Sequence, residues 1–331
     1  MKIKDFTKKY AYADNKRAAR ELILTIAFYV GSFSLAYLFY NNWFLSSVFV
    51  LLTGVGTIRL YMLQHDCGHY SFFHGSRANN VVGTLLSGIT WTPFRSLRYN
   101  HGLHHAHIGN LDERDASEIY TMTVGEYEAA TPVRRMGYRI YRSAFTLFLV
   151  GPIIIFFFRY RWPKNINRSG VLDAMITNAL LLGLWGAVYL LLGFKGVYIM
   201  LWASIFGATA GSVIPYVQHN FENTYWERHP NLDFQTAALT GTTILDFGRV
   251  FDLATANIAY HDLHHLNARI PSYRLQECQN DIAHMLNPVK VGWVEGLSCI
   301  RWKLWDEELG KMVGFPTASL ATTDISEKPL V

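Results

Sequence analysis

The stretch Trp43–His69, WFLSSVFVLLTGVGTIRLYMLQHDCGH, decides the fold. From Trp43 to Leu63 it carries a single charge, Arg59. An uninterrupted apolar helix of about 20 residues is what a bilayer crossing requires. Arg59 lies late in the run, where a long side chain snorkels to the interface. The run then ends in His65-Asp66-Cys67-Gly68-His69. On a helix, i and i+4 share a face, so His65 and His69 form a pair beside a membrane boundary.

Working outward, Leu22–Tyr40 is a second apolar run, joined to Trp43 by Asn41-Asn42, which makes a helical hairpin. Lys2, Lys4, Lys8, Lys9, Lys16, Arg17 and Arg20 precede it. A secretory signal has a shorter apolar core and a small-residue cleavage site, so this run reads as a retained span. Val171–Phe194 and Gly196–Val217 form a second hairpin around Lys195. The segments 81–94 and 144–158 are apolar but too short to cross, the second being interrupted by Gly151-Pro152. Lys and Arg crowd the N-terminal arm, the 64–170 stretch and the region after Val217. The positive-inside rule places those three regions on the cytoplasmic face, which requires an even number of crossings on each side of the middle.

The expected fold class is therefore all-α integral membrane: four transmembrane helices in two hairpins (22–40, 43–63, 171–194, 196–217). A cytoplasmic helical cap carries the histidine clusters, and 81–94 and 144–158 are interfacial or re-entrant. One domain covers 1–317, and the polar residues 318–331 form a disordered tail. Both termini are expected in the cytoplasm.

Composition agrees. Only 17% of the 331 residues are charged, against roughly 25% in soluble domains, and mean hydropathy is +0.11. The net charge of +5 is spread without a concentrated basic tract, which suits anionic headgroups and gives no nucleic-acid footprint. The three cysteines, Cys67, Cys278 and Cys299, are too few and scattered for a disulfide framework or a cysteine zinc site. Cys67 reads as a small packing residue.

Metal chemistry must then come from nitrogen or oxygen. Three clusters hold eight of the 13 histidines: His65 and His69; His101, His104 and His105; and His261, His264 and His265. HxxxH and HxxHH point their imidazoles at a common point on a helix. One zinc ion takes three or four ligands, whereas two metals at about four each use all eight. Imidazole suits iron, zinc, copper and nickel, so ligand type leaves the metal open. A zinc protease would want HExxH, where this chain has HDCGH, and would leave two clusters unexplained. His107 lies off the HxxHH face, and His74, His229 and His284 read as surface or interface residues.

His65-Asp-Cys-Gly-His69 followed by Ser71-Phe72-Phe73, then HGLHH and HDLHH, resembles the three histidine boxes of the membrane fatty acid desaturase superfamily. Gly109-Asn110-Leu111-Asp112, Tyr120–Val124, Glu126-Tyr127, Val217–Glu222, Tyr225-Trp226-Glu227 and His264–Pro271 with Tyr273 are similar to the bacterial omega-6-type acyl-lipid branch. The likeness runs from about residue 20 to 285. It implies two iron ions (Fe2+/Fe3+) with dioxygen as co-substrate, no bridging carboxylate, and a ninth histidine ligand for which His219 in VQHN is the match. It also implies desaturation of acyl chains, with acyl lipids as substrates, and the bacterial inner membrane as location. Asp66, Asp262, Asn100 and Asn267 are candidates to orient imidazoles from behind.

Abstracting hydrogen from a methylene needs an oxidant no side chain supplies. No haem, iron–sulfur or dinucleotide motif is visible, so electrons are expected from a separate carrier, ferredoxin or a small haem cytochrome. Trp91, Pro93, Phe94 and Tyr99 are candidates to line an acyl tunnel. A hydroxylase or ketolase on the same scaffold is the competing oxidase reading. A membrane metal-handling or transport protein competes from another class, although the spans hold almost no ionisable residue to mark a pathway. Oligomeric state, double-bond position and headgroup are not legible.

Overall fold

The computed structural model describes residues 3–114 and 119–316; the tail expected at 318–331 lies outside the described residues. It is mostly helical. A short helix α1 (Ile3–Thr7) leads to α2 (Asn15–Leu38), whose first turn is capped by Asp14 accepting from the Lys16 and Arg17 N–H groups at 2.9 and 3.1 Å. After a tight turn, Asn42 caps α3 (Trp43–Gly68) through the Leu45 N–H. These two helices touch backbone to backbone: a Cβ on Gly56 would stand 3.1 Å from Tyr29 Cα. Small residues at such a crossing let helices gain dispersion contact where apolar burial offers little. Arg59 reaches from its helix toward the segment 249–254, outside the apolar runs. It pairs with Glu21 of α2 and donates to Thr25 Oγ1 at 3.0 Å and to the Leu253 carbonyl, because partners on α2 and in the 249–254 region satisfy it where it stands.

The apolar run 81–94 is not one segment. Helix α4 (Ser76–Thr90) ends where Trp91 turns left-handed at φ 61°. Pro93 then starts α5 (Phe94–Ala106), and the residue before a proline is pushed out of helical geometry. Helix α6 (Pro132–Tyr141) is followed by the segment Thr146–Arg161, bent 55° away from it. That segment is irregular: π-helical turns at Thr146–Val150 and Ile154–Phe158 flank the α-turn Gly151–Ile153.

Helix α7 (Val171–His219) contains a break at Gly193 (φ 66°, ψ −165°) rather than at Lys195. A straight helix of 49 residues would be about 74 Å long, more than twice the roughly 30 Å of a hydrocarbon core. It folds back instead. Trp91 touches Trp185 at a ring separation of 5.2 Å and donates to Ser204 Oγ at 3.2 Å. Both ends, Asp173 and His219, reach the histidine region. The second limb packs on α3 through glycines: a Cβ on Gly207 would sit 2.9 Å from Thr57 Cγ2.

Among the described residues, α2, α3 and α7 are long and apolar enough to cross a membrane; α6 with Thr146–Arg161 makes a fourth if that bent pair counts as one. The remainder is a polar cap containing α8 (His261–Leu266) and α9 (Ser272–Ile282). It is not purely helical. Strands β1 (Met122–Thr123), β4 (Leu304–Asp306) and β5 (Lys311–Val313) form one small sheet in the order β1-β4-β5, and β2 (Ile244–Leu245) pairs with β3 (Lys290–Val291) in another. These short pairings satisfy backbone groups of chain segments packed too tightly for water to serve them. The N-terminal arm belongs to the cap as well: Ile3, Phe6 and Tyr10 pack on Leu263, Leu266 and Leu275.

Candidate metal centre

Each histidine is delivered by a helix end. His65 sits in the last turn of α3, and His69 caps it. His101, His104 and His105 lie on α5, His219 ends α7, and His261, His264 and His265 make up half of α8. The structure brings all nine together. His65, His69, His101, His105 and His264 form one group and His104, His219, His261 and His265 another, the ligand-type atoms of each group lying within 4.8 Å of one another.

The boxes are shared between the groups. Box two gives His101 and His105 to the first group and His104 to the second. Box three does the reverse, giving His261 and His265 to the second and His264 to the first. Helix geometry explains this. Residues i and i+4 are nearly eclipsed, whereas i+3 and i+4 diverge by about 100°. An HxxHH motif therefore serves two points, not the single point expected from its spacing.

Nε2 atoms face inward throughout. His65–His101 are 2.7 Å apart, His101–His105 2.9 Å and His105–His264 3.0 Å. In the second group His104–His265 are 3.2 Å apart, His261–His265 3.1 Å and His219–His261 2.9 Å. Imidazole nitrogens bound at about 2.1 Å and at right angles around one ion lie about 3.0 Å apart. The His69 Nε2 is buried without a hydrogen-bond partner, as a ligand atom would be. Burial, reinforced by neighbouring imidazoles, holds His69, His101, His105, His261, His264 and His265 well below the ordinary histidine value. They are neutral, as metal ligands must be. The nine residues fit a pair of metal ions.

The four candidates for orienting roles stand behind the rings. Buried Asp66 accepts from the Ser272 N–H at 2.7 Å, tying box one to the start of α9, and its Oδ1 lies 3.6 Å from His65 Nδ1. Asp262 is fully buried, and burial pushes it up to about 6 against the backbone N–H groups of box three, which pull it down. Asn100 links α5 to the 164–165 turn, donating to Lys164 O at 3.2 Å and accepting from Asn165 at 2.7 Å. Asn267 donates to Thr7 Oγ1 at 2.9 Å, fastening the N-terminal arm. No hydrogen bond joins Asn100 or Asn267 to an imidazole; both hold the elements that carry them. His107 lies outside both groups, 3.4 Å from Glu113.

Three features had escaped the sequence reading. Asp173 on α7 accepts the Arg95 and Ser96 N–H groups at 3.1 and 3.0 Å, capping α5 from another helix. Gln64, beside His65, donates to Gly83 O, Ser87 Oγ and Thr92 O and accepts from Thr90, pinning α4 to α3. Arg142, fully buried, donates to Tyr120 O, Thr121 Oγ1, Asn220 Oδ1 and Trp302 O. Arg142 left a trace in sequence as a charge just ahead of an apolar run, and Asp173 left one as the single charge within the run 171–194.

Below the histidines lies a cavity of about 310 Å³, lined by Tyr61, Met62, Leu147, Phe156 and Ile214 and reaching His65, His101, His104, His219 and His261. Trp91, Pro93, Phe94 and Tyr99 do not line it. Trp91 lies tilted against Phe157 and edge-on to Trp185, and Phe94 presses on Gly83. The irregular segment Thr146–Arg161 supplies the apolar wall instead.

Comparison with known proteins agrees with this geometry. Residues 41–296 match the family model for fatty acid desaturases. A fatty acid desaturase of Bacillus subtilis is 30% identical over 95% of this chain and 91% of its own. The sn-1 oleoyl-lipid 12-desaturase of a Picosynechococcus species is 27% identical, covering 80% of this chain and 76% of its own. An sn-1 acyl-lipid omega-3 desaturase (ferredoxin) from a Nostoc species is 23% identical over 71% and 66%. With apolar helices of membrane length and histidine groups able to hold metal, the chain belongs to the fatty acid desaturase family, whose members are oxidoreductases of lipid metabolism.

Proposed function

We propose that this chain desaturates the acyl chains of membrane lipids, using dioxygen at two iron ions held by His65, His69, His101, His105 and His264 and by His104, His219, His261 and His265. The observation that carries the reading is the adjacency of two histidine groups opening on one apolar cavity. When bound, the iron pair supplies the reduction of dioxygen and the oxidising power that an unactivated methylene demands. One –CH2–CH2– unit, one dioxygen, two electrons and two protons yield –CH=CH– and two waters.

The chain's own residues do the rest. The apolar cavity holds one C–C bond of the acyl chain under His65, His101, His104, His219 and His261. Asp66 fixes box one against α9. Asp262, buried among the residues of box three, orients that box, and Asn100 and Asn267 fix boxes two and three to the 164–165 turn and the N-terminal arm. We take α2, α3 and the two limbs of α7 as four crossings, with Thr146–Arg161 entering and leaving on the capped side. The histidine cap and both termini then face the cytoplasm of a bacterial inner membrane, as the distribution of Lys and Arg favours. A separate one-electron carrier, ferredoxin or a small haem cytochrome, docks there. The ferredoxin named for one relative supports this.

The test is gas chromatography of fatty acids from a host expressing the wild type and His104→Ala, with metal analysis of both proteins. A new double bond in the wild type alone, with two irons per chain, is the expected result. An added oxygen without unsaturation, or a lone zinc ion, refutes the proposal.

A further inference from the structure

One wall of the cavity is a single segment. Thr146, Leu147, Gly151, Ile155, Phe156 and Tyr160 face the cavity. On the other side of the same segment Phe145, Leu149, Ile154 and Phe158 are exposed, at 64%, 49%, 51% and 68%. One helix thickness separates the space under the histidines from the outside, and that outside is apolar. The wall runs along the spans: Phe148 packs edge-on against Tyr216 at 5.2 Å and Phe156 against Tyr61 at 6.2 Å. Its outer face therefore continues the lipid-facing surface of α3 and the second limb of α7.

This wall is also the least regular helix of the chain. Two π-helical turns surround Gly151-Pro152. Proline removes a donor from the ladder, and π-turns are individually weak and gather at functional sites. Gly151 tolerates no side chain here, since a Cβ would stand 2.7 Å from Thr146 O. Such a segment moves aside with the loss of few hydrogen bonds, whereas the glycine-packed contact of α3 with α7 does not.

We infer that Thr146–Arg161 is a lateral port, through which the acyl chain of an intact membrane lipid passes sideways from the bilayer into the cavity. The inference rests on the acyl-lipid desaturase reading and adds the route by which the acyl chain reaches the cavity. The lipid's headgroup stays at the surface while one chain slides past Ile155. An apolar outer face suits this entry, because the chain never leaves hydrocarbon.

The full chain in nanodiscs of a phospholipid with deuterated acyl chains, supplied with reduced ferredoxin and undeuterated acyl-CoA in the water, separates the possibilities. Intact-lipid mass spectrometry is expected to show the double bond in deuterated chains still esterified to the phospholipid. Ile155→Trp, which fills the inner face, is expected to lower that rate at least tenfold with two metals per chain retained; Leu190→Trp, on the exposed surface of the first limb of α7 away from the wall, is expected to leave it unchanged. If Ile155→Trp loses metal, Ile155→Phe takes its place. Desaturation confined to acyl-CoA, equal rates for the Ile155 variants and wild type, or a loss as large in Leu190→Trp overturns the port. Absence of any double bond in the wild type refutes instead the desaturase reading beneath it.

Discussion

Asp173→Ala removes the cap that holds the second histidine box in place. Asp173 is buried, and its carboxylate accepts from the Arg95 and Ser96 N–H groups at 3.1 and 3.0 Å, at the start of the helix carrying His101, His104 and His105. A hydrogen bond to a charged group contributes about 1.5–3 kcal/mol, and the negative charge also favours a helix N-terminus. Taking the low end for two such bonds gives about 3 kcal/mol. If that loss falls on α5, metal held through its three imidazoles weakens about a hundredfold, at roughly 1.4 kcal/mol per tenfold. Asp173→Asn keeps one acceptor without the charge and is expected to lose about half as much. The assay is metal content after equilibration with graded chelator, beside hydrogen exchange across 94–106. Affinity within twofold of wild type in Asp173→Ala, with unchanged exchange in α5, would refute the reasoning.

His265→Ala removes the ring facing both His104 and His261 and is expected to lower the metal content from two ions to one, measured by elemental analysis with the fold intact by circular dichroism. For the metal-free protein, six imidazoles have values depressed by burial. The unfolded chain then binds more protons below about pH 6.5, so stability should be present above that pH and fall as pH drops beneath it. Thermal unfolding of chelated protein across pH 5–8 checks this, and a flat profile contradicts it. Arg142→Met strips four acceptors of a buried donor and is expected to destabilise by about 3–5 kcal/mol, read as a lower unfolding temperature and reduced occupancy of the His219 group. An unchanged melt would mean that water replaces the guanidinium.

By itself the sequence determined the local elements. The apolar runs, the tight turn at Asn41-Asn42 and the three histidine boxes are written in contiguous residues, because bilayer length and helix periodicity act over one segment at a time. Box spacing also pointed to eight of the histidines that converge, whereas His219 was reached through the family resemblance alone. Tertiary structure alone decided how they are divided. His264 joins box one and His104 joins box three because facing helices interdigitate, and no spacing within one box encodes its neighbour's angle. The partners of Asp173, Gln64 and Arg142 were not legible for the same reason: each acts on backbone or side chains tens of residues away. The cavity wall at 146–160 read as a short apolar run, and the tunnel was sought instead at Trp91–Tyr99. Which side of an irregular helix faces a void depends on what packs opposite it, and that partner lies elsewhere in the chain.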